Sequence, residues 1–300
     1  MHLRGPILLS ILAALLTLGL KTAAWALTGS VGLLSDALES GINLLAACAA
    51  LFSLWYSSRP VDASHTYGHE KIEFFSSGLE GGLIVVAALG ITAGAIDRLV
   101  HPVRLESLGA GTLLAAAAAV INLAVAIVLL RAGRKHHSIV LEADGQHLMT
   151  DVWTSVAVVV GVGLVKATGQ QWLDPIAALI MAANILWTGF GLLRKSFNGL
   201  MDHALPEDEL VKLRAAITSR LEPHTTFHAL RTRRSGPRRF ADCHLLVPGD
   251  WPVQQAHDLG ERIEAAVRAA LPGLELTLHI EPIDAAVSWE DSALLNIEPK

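Results

Sequence analysis

The chain has 300 residues, of which 52% are hydrophobic and 17% charged, and its mean hydropathy is +0.46. The charge is uneven, because 24 charged residues fall in residues 1–200 and 27 in residues 201–300. This composition excludes a disordered chain, a disulfide-built secreted module and a simple soluble enzyme. The net charge of −5 gives no reason to expect nucleic acid as a partner, and Cys48 and Cys243 are too far apart in sequence to suggest a disulfide framework.

Six apolar stretches are long enough to cross a bilayer as helices, which takes about 20 residues each. They cover about residues 7–27, 31–56, 76–99, 107–130, 144–166 and 174–194. Eight basic residues fall in the loops on one side and three in the loops on the other. The positive-inside rule therefore predicts a multi-pass protein of the cytoplasmic membrane with both termini in the cytoplasm.

An alternative exists for the N-terminus. Residues 2–26 have a short basic flank, an apolar run and an Ala24-Trp25-Ala26 ending, which is also the pattern of a cleaved signal peptide. Cleavage would leave five spans and would separate the N-terminus from the basic loops. We therefore favour retention of this segment as the first span.

The last third of the chain is predicted to be a small water-soluble domain. Helix and strand patterns alternate there in the order αββαβ, which indicates a ferredoxin-like α+β fold. The predicted domains are 1–203 in the membrane, 204–283 as a cytoplasmic metal-binding and dimerisation domain, and 284–300 as a loosely ordered tail. A domain of roughly 80 residues gains stability from forming a homodimer.

Ionisable and amide side chains interrupt the second and fifth apolar stretches. Glu39 and Asn43 are four residues apart, as are His147 and Asp151, so each pair lies on one helical face. Four oxygen and nitrogen donors from two neighbouring helices suit a tetrahedral divalent cation. The alternative is that these groups only form hydrogen bonds between helices and stabilise the bundle.

Two further groups of potential metal ligands lie outside the apolar stretches. The loop over residues 57–73 contains Asp62, His65 and His69, with Gly68 allowing a tight bend, and is either a small metal site or a solvated loop. The run from His69 to Glu73 resembles the zinc-protease pattern H-E-x-x-H but ends in Glu. The soluble domain contains a third group, whose members are either metal ligands or ordinary half-buried side chains. These are His228, His244, His257, His279 and Glu281.

At these residues the chain resembles the cation diffusion facilitator family, whose members exchange zinc-like ions for protons. The motifs are Ser35-Asp36-Ala37-Leu38-Glu39-Ser40, Asp62 to His69, His147-xxx-Asp151 and Leu230 to Pro237. The resemblance implies a transport site of Glu39, Asn43, His147 and Asp151, a loop site of Asp62, His65 and His69, and a binuclear cytoplasmic site between protomers of His228, His244, His257, His279 and Glu281. It also implies a dimer charge interlock of Lys71 and Asp202.

The expected function is efflux of Zn²⁺, or next Cd²⁺, in exchange for protons bound at His147 and Asp151, with the divalent cation also a structural and regulatory ligand. Family members often carry Asp or His, then Asp, where this chain has Glu39 and Asn43. This difference leaves the metal preference open. An intramembrane metal hydrolase and a passive metal channel or sensor are the alternative classes, and proton counter-transport separates an exchanger from a channel.

Overall fold

The computed structural model of the protein describes residues 4–28, 31–101, 110–170 and 172–290. The chain divides into two compact units, residues 1–200 and residues 201–300. The first unit is helical and the second combines helices with a small sheet, so each is described separately.

Six long helices make up the first unit. They are α1 (Arg4–Thr28), α2 (Val31–Ser57), α3 (Ile72–Val100), α4 (Ala110–His136), α5 (Ile139–Thr168) and α6 (Leu173–Leu200). Within the described residues, four segments are long and apolar enough to cross a membrane: Gly5–Ala23, Ile72–Val100, Ala116–His136 and Pro175–Leu200. In α2 the described apolar segment is the shorter Asn43–Ser57.

Several helices run past the apolar stretches from which they were predicted. The basic segment 131–137, between the fourth and fifth apolar stretches, predicts a break, but α4 continues to His136 and α5 begins at Ile139. Hydropathy shows where the apolar side chains end, but it does not show where the helix ends. The helical hydrogen bonds continue into the polar segment when its residues stabilise the last turn. In the last turn of α4, Arg134 and Lys135 stabilise the negative end of the helix dipole.

Helix α3 packs closely against α6 because glycines face the contact. A methyl group on Gly81 would lie 3.2 Å from Leu193, and one on Gly189 would lie 2.9 Å from Val85. Small residues let the two backbones approach, as is typical of helices in membranes. The start of α3 is further fixed by Glu73, whose carboxylate accepts a hydrogen bond from Ser57 Oγ at 3.0 Å.

The second unit follows the predicted αββαβ order. Its elements are α7 (Glu207–Thr218), β1 (Thr226–Ser235), β2 (Arg238–Val247), α8 (Val253–Ala270) and β3 (Leu274–Pro282). The strands form one sheet in the order β1-β2-β3, with β1 antiparallel and β3 parallel to β2. Both helices cover one face of the sheet, and their apolar side chains form a core with Leu213, Leu245 and Ile263 at its centre.

Two details of this unit differ from expectation. The apolar spacing of residues 253–271 predicts that Val253 lies on the buried face of α8. It is instead 85% exposed, because it is the first residue of the helix and precedes the part that packs on the sheet. The loosely ordered tail was expected over 284–300, yet Ala286–Trp289 forms a 3-10 helix. Residues 291–300 lie outside the described residues.

Candidate metal sites

Polar side chains from α2 and α5 meet in the interior of the helical unit. The imidazole Nε2 of His147 lies 2.7 Å from Oδ1 of Asn43, and Nδ2 of the same amide donates to Oδ2 of Asp151 at 2.6 Å. All three residues are buried. One amide therefore links an imidazole and a carboxylate that belong to successive turns of α5.

The fourth residue of the predicted transport site, Glu39, lies in α2 one turn before Asn43. Its side chain lies outside the described part of the protein. Its role as a ligand therefore stays a prediction from the helical spacing.

Sequence reasoning did not assign a role to Asn122 in α4. Its Nδ2 donates to Oδ2 of Asp151 at 3.1 Å, so the same carboxylate oxygen accepts amide hydrogens from two helices. Two donors hold Asp151 in the orientation that faces Asn43. The only signal in the sequence was an amide side chain inside an otherwise apolar helix, which suggests a buried polar partner.

The loop between α2 and α3 brings Asp62, His65 and His69 together. Asp62 Oδ1 lies 3.3 Å from His65 Nδ1, and Asp62 Oδ2 lies 3.1 Å from His69 Nε2. One ligand atom from each residue fits within 4.8 Å of the others. The backbone reaches this shape through Gly68, whose φ of 94° lies in the left-handed region.

The two faces of this loop group differ in exposure. Asp62 and His65 are exposed, whereas His69 is buried against the ring of Tyr56 with 4.8 Å between ring centroids. The backbone N–H of His65 donates to Asp62 at 2.7 Å and holds the pKa of that carboxyl below its usual range. Asp62 is therefore ionised throughout the neutral pH range, which is the form that a metal ligand requires.

Three histidines form a row across the sheet of the second unit. The strand register pairs His228 with His244 and His244 with His279, so the row crosses β1, β2 and β3. Glu281 lies two residues beyond His279 and on the same face. This face is opposite the one covered by α7 and α8, because the alternate residues Cys243 and Leu245 point into the core.

The buried end of this row has the features of a metal site. Glu281 Oε2 lies 3.5 Å from His228 Nε2 and 3.3 Å from His244 Nδ1. Among the described residues, none of these three buried atoms has a hydrogen-bond partner of acceptable geometry. Atoms that converge without hydrogen bonds are left to be satisfied by a cation, so the donor set fits a dication.

The other two predicted cytoplasmic ligands lie further out. His279 is exposed, and its Nε2 lies 3.4 Å from Oε1 of Glu281. His228 and His244 lie near the other oxygen of this carboxylate, Oε2. His257 is exposed on α8 and is not part of the group of His228, His244 and Glu281. Trp289 in the 3-10 helix lies against the buried end, with its ring 5.5 Å from that of His228.

The two residues of the expected charge interlock lie in different units. Lys71 immediately precedes α3, and Asp202 lies in the second unit, where Arg233 Nη1 is 3.8 Å from its carboxylate. The interlock between Lys71 and Asp202 stays a prediction.

Known proteins resemble the chain along almost its whole length. Residues 7–201 match the family described as the cation efflux transmembrane domain, and residues 205–283 match the cation efflux protein cytoplasmic domain. A transporter of Synechocystis sp., sll1263, is 50% identical over 282 residues, which cover 94% of this chain and 91% of that protein. The cation-efflux pump FieF of Klebsiella pneumoniae subsp. pneumoniae is 31% identical over 279 residues, covering 93% of this chain and 92% of the pump.

Among solved structures, the metal-bound C-terminal domain of the CzcD transporter from Thermotoga maritima is 27% identical. It covers 27% of this chain and 99% of that domain, with a TM-score of 0.24.

The helical unit, the polar group inside it and these matches define a multi-pass membrane transporter of divalent cations rather than an enzyme. The chain belongs to the cation diffusion facilitator family, as the resemblance of its motifs implied.

Proposed function

We propose that the protein exports a divalent metal cation, Zn²⁺ first and Cd²⁺ second, in exchange for protons. The observation that carries this proposal is the contact of Asn43 with both His147 and Asp151 inside the helical unit. A carboxylate, an amide oxygen and an imidazole are ligands that zinc-like ions accept. Glu39, one turn before Asn43, supplies a second carboxylate to offset the charge of the ion.

The hydrogen bonds in this group suggest how protons take part. Asn43 Nδ2 donates to Asp151, so its Oδ1 faces His147 and accepts a hydrogen from Nε2. Binding of a cation at Nε2 requires loss of that proton, since a metal and a proton compete for the same lone pair. A proton arriving from outside restores the N–H and helps to release the ion. Asp151 is the second candidate for a transported proton.

The proposed architecture has six membrane spans with both termini in the cytoplasm, in the cytoplasmic membrane. The eight basic residues of the loops on one side support this orientation. Alternating access is achieved when the helices rock so that Glu39, Asn43, His147 and Asp151 face one side at a time. The second unit is then a ferredoxin-like cytoplasmic domain.

The cytoplasmic histidine row serves as a regulatory site in this proposal. His228, His244 and Glu281 hold a dication within one protomer, and their unpartnered buried atoms support this assignment. The bound ion would link the three strands β1, β2 and β3, because each of them supplies one of these ligands. We assign the exposed His279 and His257 to the second half of a binuclear site against a second protomer, with Lys71 and Asp202 as the charge contact of the homodimer. The loop group of Asp62, His65 and His69 is a further cation site at the cytoplasmic surface.

The full chain in proteoliposomes tests the transport proposal. Zinc uptake and proton movement are followed with separate fluorescent indicators, for wild type, His147→Ala and Asp151→Asn. We expect both variants to lose zinc-driven proton flux. The matched control is His101→Ala, because His101 is an exposed residue paired with Asp97 at the end of α3. Wild-type zinc transport without proton movement would contradict exchange, and full flux in His147→Ala would contradict the site.

A further inference from the structure

Glu80 is a carboxylic acid that the transport site does not use. It lies eight residues into α3, about 12 Å along the helix axis from its start. Only 1% of its surface is exposed, and among the described residues neither carboxylate oxygen has a hydrogen-bond partner. An isolated carboxylate in such a place is strongly unfavourable, so the side chain is expected to carry a compensating cation or proton.

A second buried acid, Asp144, makes an ionised Glu80 less favourable. Asp144 of α5 is 2% exposed and its field acts on Glu80 by repulsion. One oxygen of Asp144, Oδ2, has no hydrogen-bond partner within the described part of the chain. On α3 itself, Ser76 lies one turn before Glu80, and its buried hydroxyl is likewise without a described partner.

Among the described residues of the other helices that pack on α3, none places a positive charge at Glu80. Helix α6 meets it with Gly189 and Leu193, whereas Arg194 and Lys195 of α6 are exposed. Lys195 Nζ is paired with Glu142 of α5 at 3.1 Å. Helix α2 reaches α3 through Ser57 at Glu73, two turns before Glu80. We therefore expect a proton, rather than a basic side chain, to neutralise this buried acid.

Asp144 also connects Glu80 with the transport site. It precedes His147 by three residues, which is about one turn, and its field acts on both His147 and Asp151. A dication bound at the transport site adds two positive charges beside Asp144. That charge offsets the repulsion that Asp144 exerts on Glu80, so an ionised Glu80 becomes less costly when the metal is bound.

We propose that Glu80 is a proton-binding residue coupled to the transport site, protonated when the site is empty and ionised when a dication is bound. On metal binding, the O–H bond of the Glu80 carboxyl breaks and the proton passes to water, leaving a carboxylate whose charge the metal offsets through Asp144. This inference rests on the proposed function of the transport site. It adds one proton carrier to His147 and Asp151.

Infrared difference spectra of the lipid-reconstituted full chain, with and without Zn²⁺, test the proposal. We expect the C=O stretching band of a protonated carboxyl to disappear on zinc addition in wild type and to be missing from the spectra of Glu80→Gln. Asp97→Asn is the matched control, because Asp97 lies on the same helix but is exposed, and it should keep the band. Should Glu80→Gln fail to fold, Glu80→Asp retains an acid and is expected to shift the band.

Protons released per zinc bound, measured at equilibrium by titration in weakly buffered solution, give a second readout. Glu80→Gln should release fewer protons than wild type, by up to about one per zinc bound at the transport site, with the number of bound zinc ions unchanged. A wild-type band that persists in Glu80→Gln, or a loss of one bound zinc ion in that variant, would overturn the assignment. The infrared and titration measurements do not depend on transport. The proposal of metal–proton exchange is tested separately, and it would be refuted by the absence of zinc-driven proton flux in wild-type proteoliposomes.

Discussion

The Nε2 atom of His147 and the Oδ1 atom of Asn43 lie 2.7 Å apart, across the boundary between α5 and α2. The other end of the same amide donates to Asp151. Movement of either helix relative to the other therefore breaks a buried hydrogen bond unless a cation replaces it. In the proposed transport site, we therefore expect occupancy and the relative position of α2 and α5 to be coupled.

Asn122 is expected to tune the transport site without binding the ion. Asn122→Leu removes the donor that lies 3.1 Å from Asp151 Oδ2 and leaves this carboxylate less firmly oriented. Loss of such an outer partner typically weakens metal affinity about 10–100-fold. The concentration dependence of zinc flux in proteoliposomes measures the change. Asn184→Leu is the control, because Asn184 is exposed on α6, and equal half-saturation in the two variants would contradict this role.

Asn43→Asp should change the proton dependence of transport. The new carboxylate would lie beside Asp151, where the amide nitrogen is now 2.6 Å away, and two carboxylates at that distance do not both ionise without a cation. We expect about one additional proton released per zinc bound and a steeper rise of zinc affinity with pH. Titrations with Zn²⁺ and Cd²⁺ over a range of pH measure both effects. Asn43→Ser, which stays neutral, should not steepen the pH dependence, and parallel curves for the two variants would refute the prediction.

The sequence predicted the elements better than it predicted their contacts. The spacing of His147 and Asp151 was sufficient to place them on one face of a helix, because that relation depends only on the helical repeat. The contact of Asn122 with Asp151 could not be predicted, since it depends on how α4 is rotated against α5. The family resemblance grouped His228, His244 and His279, but their spacing alone could not predict the alignment, because it depends on the register of three strands.

The packing of α3 against α6 is expected to be sensitive at Gly199. A methyl group there would collide with the ring of Phe74, which is buried and whose carbonyl accepts a hydrogen bond from Ser196. Gly199→Ala should lower stability by about 1–3 kcal/mol, as overpacking does. Thermal unfolding of the detergent-solubilised chain measures this change. Gly90→Ala on α3 is the matched control, because no described atom beyond the adjoining part of its own helix lies within 4 Å of the added methyl group. Equal unfolding temperatures would contradict the contact.

Cys243 should make the second unit less stable at alkaline pH. Burial, with a smaller contribution from Asp242, raises the pKa of its thiol to about 12, whereas a thiol in the unfolded chain ionises near about 8.5. At a pH between these two pKa values, unfolding therefore releases a proton from the thiol. In that range the free energy of unfolding falls as the pH rises, by up to about 1.4 kcal/mol per pH unit. Denaturant titrations of the full chain between about pH 8 and about pH 11 measure the slope. Cys243→Ala should remove this component, whereas Cys48→Ala should not, and identical slopes in all three proteins would contradict it.

Trp289 should report metal at the cytoplasmic histidine row. Its ring lies 5.5 Å from that of His228, so a Co²⁺ ion held by His228, His244 and Glu281 would be close enough to quench its fluorescence. We expect Co²⁺ to quench the full chain and expect Trp289→Phe to lose most of that quenching, whereas Trp251→Phe, altered at the tryptophan packed on the core of the same unit, should retain it. His244→Ala keeps the fluorophore but removes a ligand, so it should shift the quenching to higher Co²⁺ concentration. Quenching that is unchanged in both Trp289→Phe and His244→Ala would show that the ion binds elsewhere.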